Sequence, residues 1–161
     1  MRGGKLAVLS LLLGACGAPE SVVAPSEETG RVVAMPERVQ AAFSLYERTT
    51  GQSTKTVQDV HVVPESALFA DGRCDAYWEG TKLHVNVLLS QEAVDTWSTA
   101  RLNLLVAHEL EHCVRGVGHT QETGHLMNPA GLTEKEATAR SYESYVEQSL
   151  KDSKAADPTK L

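Results

Sequence analysis

Residues 108–119 read HELEHCVRGVGH, and this stretch holds the most informative pattern in the chain. Its first five residues form the motif H-E-x-x-H. On an α-helix, residues four apart lie on one face about one turn apart, so His108 and His112 can bind the same metal ion. Glu109 lies at the edge of that face, where its carboxylate can accept a proton from a metal-bound water. Because neutral imidazole suits zinc, the motif predicts a zinc site on a helix.

A catalytic zinc ion needs a third protein ligand and one open position. We expect His119 to be this ligand, because Gly116 allows the chain to leave the helix and double back toward the metal. His125 is the alternative histidine, in case the approach of His119 is unsuitable. A carboxylate ligand from the last helix is a further alternative, and it would come from Glu134, Glu136 or Glu143.

The segment resembles the zinc signature of the metzincin peptidases, H-E-x-x-H-x-x-G-x-x-H followed by a methionine turn. The methionine turn would be residues 126–129, with Met127 as an apolar floor beneath the metal. This chain has three residues between His112 and Gly116 where the usual pattern has two, so His119 falls one position later. The variant pattern is similar to that of matrixin-like lipoproteins exported by bacteria.

This resemblance implies an α+β fold, a small metzincin-like (zincin) domain with a few-stranded twisted sheet, an active-site helix, the methionine turn and a C-terminal helix. It implies a zinc-dependent endopeptidase acting on proteins or peptides. Zinc held by His108, His112 and His119 would activate water, with Glu109 as the general base. An extended substrate would pair with the strand predicted over residues 82–89.

The alternative function is a non-catalytic exported lipoprotein that keeps the zinc site as a structural or binding element. The small number of strands and the shifted position of His119 favour it. Glu109 argues against it, because a purely structural zinc site does not need a base.

The N-terminal residues have the pattern of a targeting signal. Residues 1–15 combine basic residues, an apolar run of eight residues and a small-residue cleavage site, which is typical of a signal peptide. The sequence LGAC at residues 13–16 resembles the bacterial lipoprotein signal, so we expect Cys16 to carry lipid. Residues 16–35 would then be a flexible tether. The expected location is the outer membrane of a bacterium, with the protein anchored by its lipid.

The catalytic domain is expected over residues 36–150, which is enough chain for one hydrophobic core. Hydrophobic spacing predicts a helix from Pro36 to Gly51 and strands over residues 56–63, 74–78 and 82–89, the last two as a hairpin. A polar tail would follow at residues 151–161.

The motif itself is predicted to lie on a long helix that begins after Ser98. Its buried stripe is expected to contain Leu102, Leu105, Val106, Leu110 and Cys113. Thr133 and Glu136 form the pattern of a capping box, which predicts one last helix extending to about Leu150.

The cysteines indicate a disulfide. If Cys16 is lipidated, Cys74 and Cys113 remain as an even pair in an oxidising compartment, and we expect a bridge between them. Two buried free thiols are one alternative. Zinc ligation by Cys113 is another, although its side chain is about 100° around the helix from that of His112.

Charge restricts the partners. The chain has 15 basic and 21 acidic residues, a net charge of −6, and it contains no basic patch. This composition argues against nucleic acid and leaves lipid on Cys16 as the membrane contact. The expected partner is a protein or peptide substrate, bound by a monomer.

Overall fold

The computed structural model describes residues 35–68 and 70–155. The predicted signal peptide, the predicted lipidation site Cys16, nearly all of the predicted tether and residues 156–161 lie outside the described residues. The described chain has an α+β fold, as expected from the sequence. Its elements are α1 (Glu37–Thr50), β1 (Asp59–Val63), a 3-10 turn (Glu65–Ala67), β2 (Gly72–Glu79), β3 (Lys82–Ser90), α2 (Gln91–Thr96), α3 (Thr99–Arg115), α4 (Glu134–Ala137) and α5 (Tyr142–Ala155). None of the described helices has both the length and the apolar character needed to cross a membrane.

The three strands form one mixed sheet in the order β1-β3-β2. β1 runs parallel to β3, whereas β2 and β3 form the expected antiparallel hairpin. On β3, Val85, Val87 and Leu89 alternate into the core, which is the period of a half-buried strand. The prediction that this strand accepts a substrate is wrong, because β3 is the central strand and pairs on both sides. The strand that borders α3 with a free edge among the described residues is β2.

α1 supplies one layer of the core. Its buried residues are Val39, Ala42, Phe43 and Tyr46, as the helical spacing predicted. They pack against α3, which lies between α1 and the sheet. The fold therefore encloses the helix that carries the H-E-x-x-H motif.

The ends of α3 are set by local chemistry. The hydroxyl of Ser98 accepts the N–H of Arg101 at 3.2 Å and so caps the start of the helix, as predicted. Gly116 ends the helix in the left-handed conformation, with φ of 65°. The N–H groups of Gly116 and Val117 then bond the carbonyl oxygens of His112 and Glu111 at 3.0 and 3.1 Å.

The buried surface of α3 is wider than the predicted stripe. Leu102, Val106 and Leu110 are fully buried, but Leu105 and Cys113 are only partly buried. Leu104 and residues 106–111 are also buried, because α1, the sheet and α5 enclose the helix from several sides. Tertiary packing thus adds to what the amphipathic pattern indicates.

The predicted last helix is two helices. The capping box is present, since the Thr133 hydroxyl accepts the N–H of Glu136 and the Glu136 carboxylate accepts the N–H of Thr133. However, α4 ends after one turn, where the Thr138 hydroxyl donates to the carbonyl oxygens of Glu134 and Lys135. Side chains that bond nearby backbone groups in this way compete with helix continuation.

α5 begins after Ser141, whose hydroxyl accepts the N–H of Ser144 at 3.2 Å. The helix continues to Ala155, so the first part of the predicted polar tail is helical. α2 was not predicted at all. It is a short helix capped by Ser90, whose hydroxyl accepts the N–H of Ala93.

A buried carboxylate connects three helices behind the motif. Glu111 is fully buried and accepts hydrogen bonds from Tyr46 of α1 at 2.9 Å, from Ser149 of α5 at 3.1 Å and from Arg115. Burial and the nearby Glu111 carboxylate raise the pKa of Tyr46 far above its ordinary value, so the phenol stays a donor. The network fixes the orientation of α3 relative to α1 and α5.

Tyr46→Phe removes one donor from this buried carboxylate without changing the ring. We expect the free energy of unfolding to fall by about 1–3 kcal/mol, the usual worth of a hydrogen bond to a buried charged group. Tyr77→Phe is the control, because half of Tyr77 is exposed, and it should change stability by less than about 0.5 kcal/mol. Urea unfolding with the cysteines oxidised measures both. Equal effects would contradict the network.

Candidate metal centre

The three histidines of the motif converge on one point. The Nε2 atoms of His108 and His112 are 3.1 Å apart, and the Nε2 of His119 lies 3.2 Å from the first and 3.0 Å from the second. Tetrahedral ligation at 2.0–2.1 Å places ligand nitrogens about 3.3 Å apart, so this triangle has nearly the right size for one ion. These three residues can hold a metal.

Backbone carbonyls decide which ring nitrogen faces the centre. Nδ1 of His108 donates to the carbonyl oxygen of Leu126 at 2.7 Å, and Nδ1 of His112 donates to that of Val117 at 2.5 Å. A carbonyl can only accept, so both protons reside on Nδ1 and the neutral rings present Nε2 lone pairs to the centre. This is the arrangement in which histidines bind metals.

The rings are also held neutral. Burial lowers the pKa of His108 to about 4, with a smaller contribution from the neighbouring imidazoles of His112 and His119. Burial likewise lowers the pKa of His112 below its ordinary value. Neutral imidazole is the form that ligates a metal ion, so no proton has to be removed from either ring at neutral pH.

The extra residue in the motif is absorbed by the helix. α3 continues through Arg115, and the left-handed Gly116 then turns the chain back. The Thr120 N–H bonds the Met127 carbonyl at 2.9 Å and ties the returning segment to the residues predicted as the methionine turn. His119 therefore reaches the other two histidines despite its later position.

His125 does not join this group. Its Nδ1 accepts the N–H of Met127 at 3.0 Å, so Nε2 carries the proton and donates to Asp152 at 3.0 Å. Glu122 lies close to both, which makes a second cluster of metal-ligating residue types that the sequence did not indicate. Yet ligation through Nε2 would require an imidazolate, because Nδ1 also lacks a proton. The contacts are those of a structural link between the loop and α5.

Glu109 lies between α3 and β2. Burial raises the pKa of its carboxyl group to about 8, while the nearby backbone N–H of Cys74 lowers it. Gly72 packs directly on it, since a Cβ added there would stand 2.7 Å from Oε1 of Glu109. Only a glycine leaves room for this carboxylate, a contact that the sequence did not reveal.

Cys74 and Cys113 lie at disulfide distance, with 2.06 Å between their sulfur atoms and 5.5 Å between their Cα atoms. The predicted pair is therefore present, and neither free thiols nor a metal-ligating Cys113 describes this geometry. A sequence separation of 39 closes a loop worth about 4 kcal/mol in the chain-entropy model. The bridge joins β2 to α3 next to Glu109.

A cleft of about 850 Å³ opens over these groups. One side comes from β2 and the residues before it, and the other from α3 and residues 129–132. His108, Glu109, His112 and His119 all line it, with Leu126 beside them. Met127 is fully buried in the main core and is not among the lining residues, so its role as an apolar floor beneath the metal stays a prediction.

The glutamates that the sequence offered as alternative third ligands do not lie with the three converging histidines. Glu134 and Glu143 are exposed, and Glu136 is engaged in the capping box.

Comparison with known proteins gives no match, whether to a family model, to a curated protein or to a solved structure. The interpretation of the centre therefore depends on its own geometry and chemistry.

His119→Ala should remove metal binding, because a centre left with two imidazoles loses most of its affinity. We expect one equivalent of Zn²⁺ or Co²⁺ in the native protein and at least about 100-fold weaker binding in the variant. His125→Ala is the matched control and should still bind one equivalent. Competition with a chromophoric chelator measures both constants. Loss of the metal from His125→Ala alone would show that the third ligand has been assigned wrongly.

Proposed function

We propose that the protein is a metzincin-like, zinc-dependent endopeptidase. The observation that carries the proposal is the convergence of three histidine Nε2 atoms beside a buried glutamate that lines the same cleft. Imidazole nitrogens suit zinc, and the resemblance of the motif to the metzincin signature supports the same assignment.

The centre has the composition of a catalytic site. A structural zinc site is closed by four protein ligands, whereas this group contains three among the described residues. His119 is exposed to solvent and lines the cleft, so an ion held by the three histidines would be accessible from the cleft. This favours an open coordination position for water and substrate.

When bound, zinc supplies Lewis acidity, which lowers the pKa of a coordinated water and polarises the scissile carbonyl. His108 and His112 hold their Nε2 atoms toward the ion because backbone carbonyls bind their Nδ1 protons. Glu109 accepts a proton from the attacking water and returns it to the leaving amine. Its raised pKa suits a carboxyl group that must both take up and release a proton, and a nearby dication would lower that pKa toward the ionised form.

Substrate binding is proposed along β2. This strand has a free edge within the described fold, and Gly72, Arg73 and Cys74 line the cleft beside Glu109. An extended peptide can add to such an edge through main-chain hydrogen bonds. The scissile bond would then lie between β2 and α3, over the histidines.

The alternative is a zinc-binding lipoprotein without activity. The position of Glu109 weighs against it, because a buried carboxyl group with a raised pKa that lines a cleft beside three histidines is typical of a functional site. Export and lipidation of Cys16 stay predictions of the sequence in either case.

Glu109→Gln separates the two functions. The amide keeps the size of the side chain but cannot accept the proton, so hydrolysis of a quenched peptide library should fall by at least about 100-fold. Zinc content, measured by elemental analysis, should stay at one equivalent. If the zinc-loaded native protein cleaves nothing in the library and the variant behaves identically, the endopeptidase assignment is wrong.

Gly72→Ala tests the position of Glu109 without removing it. The new methyl group must displace the carboxylate, so we expect kcat to fall by about 10- to 100-fold with zinc retained. Gly118→Ala is the control, because a Cβ there meets nothing within 4 Å. Equal rates for the two variants would show that the Gly72 contact does not position the base.

A further inference from the structure

One arginine lies in the cleft on the same helix face as the metal ligands. Arg101 lines the cleft, as do Leu105, His108 and His112. These residues are spaced i, i+4, i+7 and i+11, so they form one stripe of α3. Seven residues separate Arg101 from His108, which is roughly 10 Å along the helix axis.

The guanidinium of Arg101 is held in place. Its Nε donates to the carbonyl oxygen of Leu132 at 3.0 Å, and its Cζ lies 3.3 Å from the centroid of the Trp97 ring. Trp97 is itself tied down, because its carbonyl accepts a hydrogen bond from Arg38 at 2.5 Å. The charge therefore stands at a fixed position in the cleft.

The two terminal nitrogens of the Arg101 guanidinium have no hydrogen-bond acceptor among the described residues. An arginine carries five N–H donors, and Leu132 uses one of them. Within the described part of the chain, no acceptor bonds the terminal nitrogens of Arg101 and no carboxylate forms an ion pair with it. Arg48 is exposed to water. Over residues 35–68 and 70–155, the arginines whose terminal nitrogens bond protein acceptors are Arg38, Arg73, Arg115 and Arg140.

We propose that Arg101 binds a carboxylate of the peptide substrate and so gives the cleft a preference for acidic peptides. This inference rests on the proposed peptidase function and specifies its substrate class. A planar guanidinium with two free terminal nitrogens matches a carboxylate in a two-point hydrogen-bonded pair. Half-burial in the cleft makes such a pair stronger than one on an open surface.

Distance limits where the carboxylate lies in the peptide. An extended chain rises about 3.3 Å per residue, so 10 Å corresponds to roughly three residues from the scissile bond. The carboxylate is either the side chain of Asp or Glu or the C-terminal carboxylate of a short peptide. Asp71 also lines the cleft and repels anions, so the preference is confined to the position that reaches Arg101.

The first measurement is kcat/KM for quenched peptides in which Glu or Gln is placed at each of three positions on either side of the scissile bond. Each peptide is made as the free acid and as the C-terminal amide, which separates the two sources of the carboxylate. We expect one position, or the free C-terminus, to raise kcat/KM by at least about 10-fold.

Arg101→Gln should bring that Glu/Gln ratio to about 1, and Arg101→Lys should restore part of it. The ratio is informative because a purely structural defect lowers the rates for both peptides equally. Arg73→Gln is the control, since Arg73 lines the same cleft but is paired with Asp75, and its ratio should stay at the native value.

A binding measurement keeps this inference distinct from the proposed function. Fluorescence anisotropy of labelled peptides with zinc-loaded Glu109→Gln protein should show the same charge preference without cleavage, and Arg101→Gln added to that variant should abolish it. Binding preference without cleavage by the native protein would overturn the peptidase assignment and leave the role of Arg101 standing. Cleavage or binding that is indifferent to the charge at every position would overturn the role of Arg101.

Discussion

Two lone pairs that face each other across 3.1 Å repel unless a cation lies between them, and the candidate centre is built around this constraint. The carbonyl oxygens of Leu126 and Val117 fix the protons of His108 and His112 on Nδ1, so the Nε2 atoms must face the centre as acceptors. His119 adds a third nitrogen at the same distance. The folded backbone therefore directs these two lone pairs toward one point, which is the property expected of a site preorganised for a metal.

Preorganisation of this kind requires a helix that cannot shift. α3 is held from behind by Glu111, which binds Tyr46 and Ser149 from two other helices. On the cleft side, Cys113 is at disulfide distance from Cys74, whose backbone N–H is near Glu109. β2 is thus joined to the helix beside the proposed base. The two sides of the cleft are connected next to the groups that are proposed to carry out the chemistry.

The sequence predicted those parts of the molecule that depend on local patterns. The buried face of α1, the Ser98 cap, the Gly116 turn, the hairpin and the cysteine pair all follow from spacing or from a single residue type. The sequence did not predict the features that depend on tertiary contacts. The order of strands puts β3 in the centre, and no pattern along one strand indicates which neighbour will cover its edge. The break between α4 and α5 depends on Thr138 and Ser141, whose side chains bond nearby backbone groups. The helical spacing over the whole segment predicts one continuous helix and does not reveal this break.

The choice between His119 and His125 shows why motif spacing alone was insufficient. Both histidines follow Gly116, so the sequence alone allows either of them to reach the metal. The difference is in the partners of each ring. Nε2 of His119 lies 3.2 Å and 3.0 Å from the Nε2 atoms of His108 and His112. Nδ1 of His125 instead accepts the N–H of Met127, which places the proton on Nε2 and commits it to Asp152. The backbone N–H that faces its ring therefore distinguishes His125, a structural histidine, from a metal ligand. This depends on the course of the loop, which local sequence patterns do not indicate.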